Sequence, residues 1–67
     1  MLYDNVKRIC TEKGTSVGKV EKALGFSNGS ISKWNESVPG IYRVKEVANH
    51  LGVTVDELLA DKEKEVG

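Results

Sequence analysis

Apolar positions recur along this chain at helical spacing, in short runs separated by glycines. Leu2, Val6, Ile9 and Cys10 stand at i, i+4, i+7 and i+8, which places them on one face of a first helix. Gly14, just after Lys13, supplies a stop that tolerates a left-handed backbone, with a cation in the last turn. Ser16 is placed to cap a second helix with the apolar stripe Val17, Val20 and Leu24, and Gly25 ends it. Ser27 is the next N-cap. Phe26 before it and Ile31 four residues after it occupy the positions of a hydrophobic staple, which clamps the angle at which a third helix leaves the turn. That helix is predicted over residues 28–35. Ser37-Val38-Pro39-Gly40 breaks it, because proline cannot continue a helix interior. Ile41, Val44, Val47, Ala48 and Leu51 predict a fourth helix stopped by Gly52. Thr54-Val55-Asp56-Glu57 is a capping box, with Val53 and Leu58 as its staple, and starts a brief fifth helix. The expectation is an all-α, compact five-helix domain over residues 1–60, followed by a charged, frayed tail at 61–67.

The length of 67 residues calls for one apolar core and no more. The single Cys10 cannot form an internal bridge, and no Cys/His cluster suggests zinc, so neither a metal nor another cofactor is expected. No apolar run approaches the ~18 residues of a membrane span and no basic-then-apolar leader opens the chain, which predicts a soluble cytoplasmic protein. Net charge is zero, with ten Lys/Arg against ten Asp/Glu, but the distribution is uneven. Residues 1–45 hold eight basic and four acidic groups; residues 46–67 hold two basic and six acidic. Phosphates would be drawn to one end and repelled by the other.

The third predicted helix has an unusual outer face. With Phe26, Ile31 and Trp34 on the core side, a rotation of ~100° per residue puts Gly29, Ser32, Lys33 and Glu36 opposite, flanked by Asn28 and Ser30. Solvated helices normally carry long charged residues there, whereas Asn, Gly and Ser are poorer helix formers. Small polar residues make sense where a large partner must approach closely, and a helix, a glycine turn and a short second helix form the geometry that enters the DNA major groove. Asn pairs with adenine N6/N7, Lys donates to guanine O6/N7, and serine hydroxyls bind phosphate oxygens. Glu36 fits this chemistry poorly, since it would repel phosphate unless the helix has ended before it or it accepts from a cytosine amino group.

These residues resemble the phage Cro/cI-type repressors, the XRE-type helix-turn-helix regulators, over residues 2–60. The strongest parts are Leu24-Gly25-Phe26-Ser27-Asn28-Gly29-Ser30-Ile31-Ser32-Lys33-Trp34 and Ala48-Asn49-His50-Leu51-Gly52-Val53-Thr54-Val55-Asp56-Glu57-Leu58-Leu59. The resemblance implies a lambda-repressor-like five-helix domain, with the helix-turn-helix at helices two and three, that binds double-stranded operator DNA as a homodimer on a near-palindrome. Carried over by position, Asn28, Gly29, Ser32 and Lys33 fall where the family reads bases. Ser16, Val17, Ser27, Ser30 and Asn35 fall where it touches the backbone or supports those contacts. The chain departs from the pattern at Val17, where a glutamine is common, and at Glu21, where a small residue is usual.

Other residues carry blander readings. Trp34 reads as core rather than as a platform for stacked bases, and Cys10 as a buried, inert thiol. His50 reads as a surface residue or a C-terminal cation; Asp56 and Glu57 are explained by capping and the helix dipole rather than by catalysis. Lys19, Lys22 and Arg43 read equally as solvated surface or as phosphate contacts. Val55 and Leu59 are candidates for a dimer surface. The leading expectation is a transcriptional regulator, a repressor of phage or prophage type. A protein-interaction module on the same scaffold, such as an antitoxin or antirepressor partner, is the alternative, supported by zero net charge and by Glu21 and Glu36. An enzyme is not expected, because no nucleophile–base pair, phosphate loop or metal-ligand set is present, and no small-molecule ligand is evident.

Overall fold

Glycine stops divide the chain into short rods that can bury an apolar stripe only against one another. The computed structural model describes residues 1–60; the tail expected at 61–67 lies outside the described residues. Four α-helices are present, α1 (Leu2–Glu12), α2 (Val17–Leu24), α3 (Ile41–Leu51) and α4 (Val55–Leu59), with a 3₁₀ turn (Ile31–Lys33) between α2 and α3 and no strand among the described residues. α1 packs on α2, α4 and the 3₁₀ turn, and α3 packs on α2 and α4. The core they enclose includes Val6, Ile9, Val20, Ile31, Val47 and Leu58, all at 3% exposure or less. Burying each such side chain contributes about 1.5–3 kcal/mol.

Both ends of α2, the close of α3 and the start of α4 follow the local signals, whereas α1 ends at Glu12 with no cation in its last turn. Ser16 Oγ accepts from Lys19 N at 3.2 Å, and Thr54 and Glu57 form the reciprocal capping box. α2 closes on Gly25 at φ 76°, where Phe26 N donates to Glu21 O and Gly25 N to Lys22 O, the paired bonds of a Schellman motif. The same pair closes α3 at Gly52 and Val53. Two side-chain amides then tie distant segments together. Asn5 Nδ2 donates to Leu58 O at 2.8 Å, joining α1 to α4, and Asn35 Oδ1 accepts from Tyr3 N at 2.9 Å in the first turn of α1.

Two features depart from the sequence expectation. The third helix predicted over residues 28–35 is reduced to the three-residue 3₁₀ turn, with turns on either side, so four α-helices stand where five were expected. The reason lies at Gly29, whose φ of +86° cannot continue a right-handed helix. Ser30 N donates to Ser27 O at 3.0 Å, so residues 27–30 close a β-turn with Gly29 in the third position, where a type II turn requires positive φ. Ile31 is fully buried and Phe26 packs against the core, but no helix starts at Ser27 for the pair to staple. The second departure is Ile41, assigned to the apolar stripe of the fourth helix but 55% exposed at the first position of α3.

Candidate nucleic-acid interface

The segment from Ser27 to Glu36 owes its shape to a residue on the preceding helix. Glu21 lies on the inner side of α2 at 3% exposure. Its carboxylate accepts from Gly29 N at 3.0 Å (Oε1) and from Ile31 N at 2.8 Å (Oε2). An ionised carboxylate taken from water needs such charge-assisted bonds, and the amides at the start of the 3₁₀ turn need acceptors. Glu21 thus does the capping expected of Ser27, while Ser30, at the N-cap position of the 3₁₀ turn, makes no side-chain cap bond of its own. Glu21, the departure from the family pattern in helix two, has its carboxylate turned inward. A signal for this was available, since position 21 follows Val17 by four and precedes Leu24 by three, on the apolar stripe.

With the backbone held this way, Ser27, Asn28, Ser32, Lys33 and Glu36 are exposed, while Ile31 and Trp34 face the core. Gly29 and Ser30 are half-buried. The Ser30 Oγ atom is buried and has no hydrogen-bond partner among the described residues. Ser32 Oγ donates to Gly29 O at 2.6 Å. Ser27, Asn28, Ser30, Lys33, Trp34 and Arg43 help line an open groove of about 500 Å³ between this segment and the start of α3. Asn28 also borders a second groove of about 220 Å³, against Gly18, Lys22 and Phe26, so it stands between two depressions.

Arg43, left open on sequence grounds, belongs to this surface. Its guanidinium lies 4.7 Å from the centroid of the Phe26 ring, which itself packs at 6.5 Å from Trp34. Stacking of this kind holds the cation in place over the groove at about 0.5–1 kcal/mol where the site is exposed. None of Lys19, Lys22, Lys33, Arg43 and Lys45 forms a salt bridge among the described residues, where the ion pairs are Met1–Asp4 and Arg8–Glu12. From residue 16 to residue 45 those five cations face a single exposed carboxylate, Glu36.

The remaining residues singled out in the sequence are placed as follows. Ser16 and Val17 do not line the larger groove: Ser16 caps α2 and Val17 packs half-buried against the core. The carbonyl oxygen of the Asn35 side chain is engaged with α1. Val55 is half-buried against the core and Leu59 is 54% exposed. Trp34 and Cys10 are buried as core residues, and burial pushes the Cys10 thiol pKa up. His50 is exposed in the last turn of α3. No group of three or more His, Cys, Asp or Glu residues that could hold a metal ion occurs among the described residues, and no helix there is long and apolar enough to cross a membrane. Comparison with protein-family models, curated proteins and solved structures finds no match to this chain.

Proposed function

We propose that this chain is a sequence-specific DNA-binding regulator, a repressor of the phage or prophage type, acting as a dimer on a near-palindromic operator. In this reading α2 and the segment from residue 27 to 36 form a helix-turn-helix unit, with the tight 3₁₀ turn in place of a full second helix. Asn28, Ser32 and Lys33 face base edges in the major groove, and Gly29 lets the backbone come close. Ser27, Arg43 and the N-terminus of α2 at Ser16 meet phosphates. The observation that carries the reading is the inward turn of Glu21, which takes one of the two carboxylates of residues 16–45 off the surface, leaving Glu36 against five unpaired cations and short polar side chains on a braced support.

Selection of binding sites from random duplexes, followed by titration with salt, tests it. Binding that neutralises several phosphates weakens steeply as salt rises. Lys33→Ala and Asn28→Ala should each lose about 1–3 kcal/mol of discrimination at one base position. Equal losses on selected and random DNA would show that these side chains do not read bases.

The exposed apolar side chains Val38, Ile41 and Tyr42, at 90%, 55% and 79% exposure, favour a second reading, a protein-interaction module on the same scaffold. A partner held by that patch would bind with little dependence on salt, so the same titration separates the two.

A further inference from the structure

We propose that Ser32 acts in the major groove as a hydrogen-bond acceptor only, and so selects an exocyclic amino group, adenine N6 or cytosine N4, at one position of the target. The inference rests on the DNA-binding reading above. Ser32 is exposed, yet its hydroxyl hydrogen is directed to the Gly29 carbonyl oxygen at 2.6 Å. A serine hydroxyl has one hydrogen and two lone pairs, so once the hydrogen is committed only lone pairs remain for a ligand.

The commitment is built into the fold rather than made by Ser32 alone. The Gly29 carbonyl belongs to the peptide linking residues 29 and 30. Glu21 grips the amides on both sides of that peptide, at Gly29 N and Ile31 N. At 3% exposure the Glu21 carboxylate is shielded from competing water, and Gly29 holds the φ of +86° that aims its carbonyl. A freely rotating hydroxyl can accept from adenine or cytosine, or donate to guanine or thymine. Ser32 is not free in this way. Guanine N7 and O6 and thymine O4 offer only acceptors in the major groove, and an acceptor-only Ser32 rejects them. Glu21 is then a positioning residue for specificity, acting through the Gly29 carbonyl.

The test compares duplexes selected from a random pool by the wild-type protein and by Ser32→Ala. The expected result is one base pair at which the wild type has a preference that the variant loses about three- to tenfold, other positions being unchanged. A second measurement works on the wild type directly. Replacing the adenine of that pair by purine, or its cytosine by 2-pyrimidinone, removes only the amino group. It should weaken wild-type binding by the same factor and leave Ser32→Ala unaffected. An unchanged Ser32→Ala profile, or no effect of deleting the amino group of that pair, overturns the inference and leaves the DNA-binding reading standing. Absence of sequence-selective binding by the folded wild-type protein overturns both.

Discussion

A carboxylate at 3% exposure has to find donors inside the protein, and Glu21 finds two backbone amides of the turn that follows its own helix. Removing it leaves both amides short of an acceptor in a partly dry place. Glu21→Ala should therefore lower stability by about 2–3 kcal/mol in urea denaturation, and Glu21→Gln by less, because one carboxamide oxygen still accepts. A loss no larger than that of an exposed glutamate would mean that the clamp is unimportant. Cys10 gives a second prediction, on pH. Burial raises its folded-state pKa above the ordinary value of 9.0. The folded state thus holds the thiol proton more tightly than the unfolded chain does. The associated stability is fully present below pH 9.0 and is lost as pH climbs from there through the folded-state pKa. Denaturation midpoints should fall in that alkaline window, and less so for Cys10→Ala. Alkylation of Cys10 at neutral pH should proceed only as fast as the protein opens.

The elements differ in how their ends are secured. α2 begins with a side-chain cap at Ser16 and closes on a Schellman motif, with Lys22 in its last turn, so eight residues suffice for a stable rod. The 3₁₀ turn has no cap of its own and borrows one from α2. This coupling lets cap chemistry and DNA contact be separated at Ser16. Aspartate there still accepts from Lys19 N but adds a negative charge at the proposed phosphate contact. Ser16→Asp should keep stability within about 0.5 kcal/mol while weakening DNA binding, whereas Ser16→Ala should cost about 1 kcal/mol of stability. Undiminished binding by Ser16→Asp in low salt would remove the α2 N-terminus from the proposed interface.

At the scale of the whole molecule, α1 is tied to the middle of the chain, at Asn35 in the proposed reading segment, and to Leu58 in α4. The proposed DNA surface and the proposed dimer surface thus share one scaffold. Leu59 is 54% exposed at the end of α4, so its replacement by serine should barely change monomer stability. If the dimer forms there, sedimentation of the wild type should shift toward twice the monomer mass as concentration rises, and Leu59→Ser should stay monomeric and bind operator less tightly. Equal sedimentation of the two proteins at every concentration would exclude this surface.

Helix stops, caps and stripes were readable in the chain because each depends on residues within one or two turns of one another. Gly25 and Gly52, the Ser16 and Thr54 caps, and the burial of Val20, Val44 and Leu58 all follow from such local spacing. The same spacing misjudged residues 28–35. There Asn28-Gly29 also reads as a turn, and the choice between turn and helix depended on a group eight positions back from Gly29. Only the folded molecule could place the Glu21 carboxylate against Gly29 and Ile31, set Arg43 over Phe26, and turn Asn35 toward α1. Local sequence determined where the rods begin and end, since backbone capping is a short-range matter. Tertiary packing decided which polar groups spend their hydrogen bonds inside the protein and which remain for a partner, because that division depends on which surfaces the rods cover when they meet.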